Sequence, residues 1–274
     1  MEISVIMGAY NIGKNDVLYK AINSILKQTF ENFEFIICDD GSNDGTFNLL
    51  KEISKKDSRI IIISNEKNLG LAATLNRCLE KAKGIYIARM DADDISLPDR
   101  LEREYKVLKN NDDYSFVGCG AFYFNSSGVY GKRILKENPN NRDFLFNSPF
   151  MHPTILIKKE VLLEVGGYRI SNETTRMEDY DLFMRLYLHN HKGYNIQECL
   201  YLYREDYVSL KKRKYKYRID EAIVRYKGFK SLNLLPAGII FVLKPLLVGL
   251  IPGRLLARIR MHRMEESKLK VHVE

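Results

Sequence analysis

Tryptophan is absent from this chain, and histidine and cysteine occur only five and four times in 274 residues. Cys38, Cys78, Cys119 and Cys199 form no C-x-x-C pair, which argues against a zinc ribbon or a disulfide framework and leaves reduced thiols as the expectation. No H-x-x-x-H pair occurs, so a histidine-based metal site is not expected. G-x-S-x-G and the P-loop are missing, and Gly118 and Gly120 lack the third glycine of G-x-G-x-x-G. Serine hydrolase, P-loop ATPase and dinucleotide dehydrogenase readings lose their anchors accordingly. No cationic and apolar leader opens the chain, which points to a cytoplasmic protein. The longest apolar stretch, Leu234 to Ile251, is interrupted by Pro236, Lys244, Pro245 and Gly249. A spanning helix needs ~20 mostly apolar residues, so this stretch is poorly suited to cross a bilayer.

What remains is ordinary globular composition, with 45% hydrophobic and 28% charged residues, enough for a sizeable core. The net charge of +8 is unevenly distributed. From Leu210 to Glu274 there are 16 Lys/Arg against 5 Asp/Glu, so residues 1–209 are slightly acidic. The composition change near Leu210 marks the expected boundary between a domain at 1–209 and an appendage at 210–274.

Residues 1–120 alternate between two periods. Apolar runs at Ile3–Met7, Phe33–Cys38, Ile60–Ile63 and Ile85–Met90 predict four strands. Helical spacing at Val17–Leu26 (with Asn15 or Asp16 as cap), Asp44–Lys55, Leu71–Ala82 and Leu101–Leu108 predicts the helices between and after them. Further strands are expected at Phe116–Phe124, Thr154–Ile157 and Tyr194–Tyr203, and helices at Val161–Val165, Leu182–Tyr187 and Ile219–Phe229. The alternation predicts an α/β fold with a mostly parallel, Rossmann-like sheet flanked by helices. Ligands of such sheets sit beyond the carboxyl ends of the strands. Three polar clusters fall there: Ala9-Tyr10-Asn11, Asp39-Asp40, and Asp91-Ala92-Asp93-Asp94.

Asp91-Ala92-Asp93 follows an apolar strand directly. Adjacent carboxylates are costly to desolvate without a cation, and Mg²⁺ or Mn²⁺ suits oxygen ligands shared with substrate phosphates. A bare D-x-D is more often a solvated acidic turn that caps the next helix; its place after a buried strand, with other acidic clusters nearby, favours the metal reading. Asp39-Asp40-Gly41-Ser42 reads equally as turn chemistry or as a carboxylate accepting from a nucleobase N–H. Glu178-Asp179 opens a helix, where acidic residues are favoured by the dipole alone or serve as general base. His152, in an apolar stretch before Pro153, is read as structural.

Together these elements resemble family-2 glycosyltransferases with the GT-A fold. The resemblance rests on Ile3–Met7 with Tyr10-Asn11, Gln28-Thr29, Asp39-Asp40-Gly41-Ser42, Asn68-Leu69-Gly70-Leu71-Ala72 and Asp91-Ala92-Asp93-Asp94. Pro98-Asp99-Arg100, His152-Pro153, Gly166-Gly167-Tyr168 and Glu178-Asp179-Tyr180-Asp181-Leu182 continue it to about residue 205. It implies an inverting transferase acting on a nucleotide-diphospho-sugar, the nucleotide usually UDP. Ala9, Tyr10, Asn11, Asp40, Asn68 and Asp91 would serve the donor, Asp93 with Asp91 the metal, and Asp179 the acceptor as catalytic base. Gly8 stands where the family often has proline. The Q-x-x-R-W element of processive synthases cannot occur without tryptophan, so single addition is expected.

The appendage combines Leu234–Ile251 with Lys211-Lys212-Arg213-Lys214-Tyr215-Lys216-Tyr217-Arg218 and with Arg254, Arg258, Arg260 and Arg263. Basic and apolar elements together suggest lying on an anionic membrane surface at the inner face of the plasma membrane; a helical cover for the domain is the competing expectation. Nucleic acid is not expected as a partner, because it leaves the apolar run unexplained. The leading expectation is a membrane-associated glycosyltransferase of bacterial-type surface-polysaccharide or glycan synthesis, with a glycan or lipid-linked acceptor. Two other functions are weighed: a metal-dependent nucleotidyltransferase, for which Ala9–Lys14 makes a poor phosphate loop, and a non-catalytic sugar-nucleotide-binding protein, against which Asp91, Asp93 and Asp179 argue.

Overall fold

The computed structural model describes residues 1–13, 16–205 and 214–251. Strands and helices alternate as β1 (Ile3–Ala9), α1 (Val17–Leu26), β2 (Phe33–Asp39), α2 (Thr46–Ser54), β3 (Ile60–Ser64), α3 (Leu71–Lys81) and β4 (Tyr86–Arg89). Then come β5 (Ile95–Ser96), α4 (Arg100–Asn110), β6 (Phe116–Asn125), β7 (Gly128–Arg133), β8 (Leu156–Lys158), α5 (Lys159–Glu164), α6 (Glu178–Leu188) and β9 (Gly193–Arg204). Two tail helices close the described chain, α7 (Tyr215–Ser231) and α8 (Ile239–Gly249).

One sheet runs in the order β3-β2-β1-β4-β8-β6-β9-β5, with β7 paired to β6. The first four strands are parallel. At β8 the direction reverses, and the second half is mixed: β6 is antiparallel to β8 and β7 but parallel to β9. The parallel reading therefore holds through β4 and is interrupted by β8, which lies between β4 and β6 and runs antiparallel to both.

The alternation of β1 explains the three layers. Ile3, Val5 and Met7 face one core with Leu18, Ala21, Ile22 and Ile25 of α1. Ile6 faces the other, with Leu75, Cys78 and Leu79 of α3. Every one of these side chains is essentially buried, and each Ile, Leu, Val or Met among them is worth about 1.5–3 kcal/mol of transfer free energy. Far from the site, Ser4 donates to Glu34 at 2.6 Å and accepts from the Gly84 N–H at 2.8 Å. A Cβ on Gly84 would lie 2.4 Å from the Ser4 nitrogen, so only glycine allows β4 to enter there.

Expected helix starts shift slightly. α2 begins at Thr46 because the Asp44 carboxylate accepts from Thr46 N at 3.1 Å and holds the turn before it. Asp16 occupies the N-cap position of α1 without a side-chain cap bond; Asn15 lies outside the described residues. In the tail, Val224 and Phe229 of α7 pack in the same core as Leu182 and Phe183 of α6, so α7 covers the domain. α8 contains Pro245, and no helix among the described residues is long and apolar enough to cross a membrane. The expected basic residues Lys211–Arg213 and Arg254–Arg263 lie outside the described residues.

Candidate active site

The ends of β1, β2 and β3 are knitted together on the expected edge. Asp40 N donates to the Ala9 carbonyl at 2.8 Å, continuing the parallel ladder. Asn11, in the left-handed region at φ 49°, donates its N–H to Ser42 Oγ at 2.9 Å, and its side chain accepts from Asn43 N at 3.0 Å. Ile12 N and Gly13 N donate to Thr46 Oγ1 and Asp44 Oδ2 at 2.9 and 3.0 Å. Tyr10 is 49% exposed beside this loop, leaving a ring face open to a ligand.

Asp40 is the hub of the edge. Its Oδ1 accepts from Asn65 Nδ2 at 2.7 Å and Leu69 N at 2.8 Å, and its Oδ2 from Gly70 N at 2.9 Å. A carboxylate has about four acceptor positions, so three are committed to its own chain and one is left for a ligand N–H. Gly41, at φ +70°, passes so close to Lys67 that a Cβ would sit 2.5 Å from its carbonyl carbon. Asn68 is exposed on the loop that Asp40 holds.

β4 flanks β1 on the side opposite β2, so Asp40 and Asp91 follow strands about 10 Å apart by strand spacing. Asp91 pairs with Arg89, a guanidinium only 3% exposed. Burial opposes the Arg89 charge, but Asp91, Tyr201 and Tyr168 together outweigh it and hold the group protonated. Burial, then Asp91, pushes Asp93 up to about 6. Asp94 is buried and pushed well above the carboxylate range, and accepts from Arg204 N at 2.6 Å. Among the described residues no group of three or more His, Cys, Asp or Glu side chains gathers to hold a cation. The protein thus offers Asp91 and Asp93, a donor set that suits Mg²⁺ or Mn²⁺ when substrate phosphates supply the remaining oxygens.

Beyond β4 opens a cleft of about 620 Å³. Asp91, Arg89, His152, Glu178 and Asp179 all line it; Asp40, Asp93, Ala9, Tyr10, Asn11 and Asn68 lie outside its walls. Burial, then Asp179, pushes Glu178 up to about 7. His152 is neutral: burial, then Arg89, drives it well below its ordinary value, and its Nε2 meets Tyr168 Oη at 2.9 Å. Asp181, two residues on, is clamped by Arg169 and Arg185 at 2.7 Å each, so both of its oxygens are engaged.

Several groups at the site went unread in the sequence. Arg89, Arg176 and Arg225 line the cleft. Arg176 stands directly before α6 at φ 68°, a conformation that costs non-glycine residues energy. Arg100, fully buried, donates to the carbonyls of Arg89 and Pro153 at 3.1 and 2.9 Å, tying β4 to the His152-Pro153 turn. The available signal was a charged residue inside an apolar strand: Arg89 interrupts Ile85–Met90.

Residues 4–170 match the sequence profile of Glycosyl transferase family 2. The EpsE protein of Bacillus subtilis (strain 168) is 40% identical over 97% of this chain and 96% of its own length. The O-antigen biosynthesis glycosyltransferase WbnJ of Escherichia coli is 37% identical over 74% of this chain and 79% of its own. Among solved structures, S. aureus TarS 1-349 in complex with UDP-GlcNAc superposes with a TM-score of 0.70 at 20% identity, covering 90% of this chain and 72% of that one. The mannosyltransferase PcManGT of Pyrobaculum calidifontis, in complex with GDP-Man and Mn²⁺, gives 0.60 at 16% identity over 99% and 86%. The fold of these structures is the fold of this chain.

Proposed function

Because the chain belongs to glycosyl transferase family 2, we propose that it is an inverting, non-processive transferase of surface-polysaccharide synthesis. It moves a sugar from a nucleotide diphosphate, UDP in our reading, to a hydroxyl of a glycan or lipid-linked acceptor. The observation that carries the reading is that Asp91, next to the knitted donor edge, and Asp179 line one cleft. The nucleobase would rest against Tyr10, with its N–H on the remaining acceptor position of Asp40; Asn68 borders the same pocket. Asp91 and Asp93 would hold Mn²⁺ or Mg²⁺, which supplies neutralisation of charge growing on the leaving diphosphate. Asp179 takes the acceptor proton as the hydroxyl oxygen attacks the anomeric carbon from the face opposite the diphosphate. Its neighbour Glu178 keeps the local charge low by being half protonated near neutrality.

TarS, solved with UDP-GlcNAc, supports the donor class, and PcManGT, solved with GDP-Man and Mn²⁺, supports the metal. WbnJ, named for O-antigen biosynthesis, supports the polysaccharide setting. The basic composition of residues 210–274 supports a cytoplasmic enzyme held peripherally at the inner face of the plasma membrane. The test is donor hydrolysis by the purified full chain across a panel of UDP- and GDP-sugars, with Mn²⁺ and with a chelator. A metal-dependent rate with one UDP-sugar is expected. Equal nucleotide affinity with and without metal, by calorimetry, removes the metal role, and hydrolysis of no donor overturns the function.

A further inference from the structure

Both tail helices carry an outward apolar stripe. On α8, Ile239, Ile240, Leu243, Leu247 and Leu250 recur at helical spacing and are 42–71% exposed, whereas Val242 and Pro245 are buried on the domain. On α7, Ile219, Ile223 and Tyr226 are 38–46% exposed, while Glu221 and Arg225 on the opposite side line the cleft. Gly238 lies against Phe229 near the end of α7 and Gly249 against Tyr215 at its start, so the helices form an antiparallel hairpin.

The exposed charge carried by the two helices themselves has one sign. Lys216, Lys230 and Lys244 are exposed, whereas the acidic residues of α7, Asp220 and Glu221, are both buried, and α8 has none. The chain entering α7 reads Lys211-Lys212-Arg213-Lys214, and Arg254, Arg258, Arg260 and Arg263 follow α8. A second copy of this chain would bring two basic surfaces together, which costs energy; an anionic surface complements them. Apolar side chains flanked by lysine and arginine are the pattern of a helix lying in the headgroup region.

We propose that the outward face of the α7–α8 hairpin docks on an anionic bilayer. This rests on the membrane-side reading above and assigns it a surface. α7 then stands between the lipid and the cleft, a separation of about one helix diameter, ~10–12 Å. An acceptor whose sugar end projects just past the headgroups is within reach of Asp179.

The experiment compares the full-length protein with Leu243→Glu/Leu247→Glu and with Lys230→Glu/Lys244→Glu. Each is floated with phosphatidylglycerol/phosphatidylcholine vesicles and with pure phosphatidylcholine, at low and high salt. Donor hydrolysis and light scattering run in parallel. The wild type is expected to float only with the anionic vesicles and to be released by salt. Both variants should bind at least about tenfold more weakly with donor hydrolysis unchanged. If the wild type floats and the variants float equally, membrane binding stands and this face is wrong. If the wild type never floats, the membrane reading falls with the face, while donor hydrolysis still reports the transferase. A dimer that Leu243→Glu/Leu247→Glu dissociates would assign the face to a second copy instead.

Discussion

Asp40→Asn should weaken the fold as well as the nucleotide site. The side chain is 4% exposed, and its oxygens accept three hydrogen bonds from its own chain. Asparagine keeps the shape but replaces one oxygen with a donor. The cheaper orientation leaves the carbonyl on Asn65 Nδ2 and Leu69 N and turns the amide nitrogen toward Gly70 N. That loses one charge-assisted bond and strands a backbone donor, a cost of about 2 kcal/mol. For a chain of this size that lowers Tm by roughly 4–8 °C. Asp40→Ala loses all three bonds, about 4–6 kcal/mol, a large part of the whole stability of an ordinary domain. Scanning calorimetry without ligand measures the first effect, and titration with UDP and Mn²⁺ the second. Asp40→Asn with unchanged Tm and lost UDP affinity would refute the reasoning: Asp40 would then be a base contact without an organising role.

Asp179→Asn should lower turnover by on the order of 10²–10⁴ with donor affinity nearly unchanged, read by steady-state transfer and calorimetry; Glu178→Gln should cost less. Loss of donor binding in Asp179→Asn would move the base elsewhere. Burial pushes Glu104 up to about 8, with Arg100 one turn away pulling it back. Folding thus favours its neutral form, a contribution complete below the ordinary value near 4.3 and lost as pH rises through about 8. Glu104→Gln should therefore match wild type near pH 5 and melt higher than wild type near pH 8.5; a Tm difference that does not change with pH refutes this. Gly84→Ala, with backbone at 2.4 Å from the new methyl, should be strongly destabilised in a urea melt, and a midpoint equal to wild type would show that β4 can shift aside.

The first half of the fold is legible because β1, β2 and β4 are buried on both faces, so each appears as an unbroken apolar run between helical patterns. Strand ends in a parallel sheet place their polar residues on one edge, which is why Ala9, Tyr10, Asn11, Asp40 and Asp91 could be grouped before any coordinates. The second half resisted. β5 is two residues long, too short for a period, and it forms only because β9 lies beside it. That β6 would be parallel to β9, some 77 residues away, leaves no local trace. Glu104 sits on the predicted helix Leu101–Leu108 and Arg100 just before it, and charge alone gives no hint that they point inward. Composition leaves cover and membrane contact as alternatives for residues 210–274, because it does not show that α7 buries Val224 and Phe229 on the domain while Ile219, Ile223 and Tyr226 stay exposed.

β9 is inserted between β6 and β5 although it is the last strand among the described residues. Its final residue, Arg204, holds Asp94 through its backbone N–H and the Asp93 carbonyl through Nε at 3.0 Å, and Leu200 supplies the carbonyl for Leu97 N. The acidic turn written at residues 91–94 is therefore clamped by residues made more than a hundred positions later. During synthesis the early strands can assemble as they emerge, but the acidic turn waits for the end of the body. A growing chain carries the edge built around Asp40 long before the turn at residues 91–94 is held in place. Such non-local closure is slow to form. It also means that a fragment ending before residue 193 would lack both the clamp and the strand that gives β5 its partner.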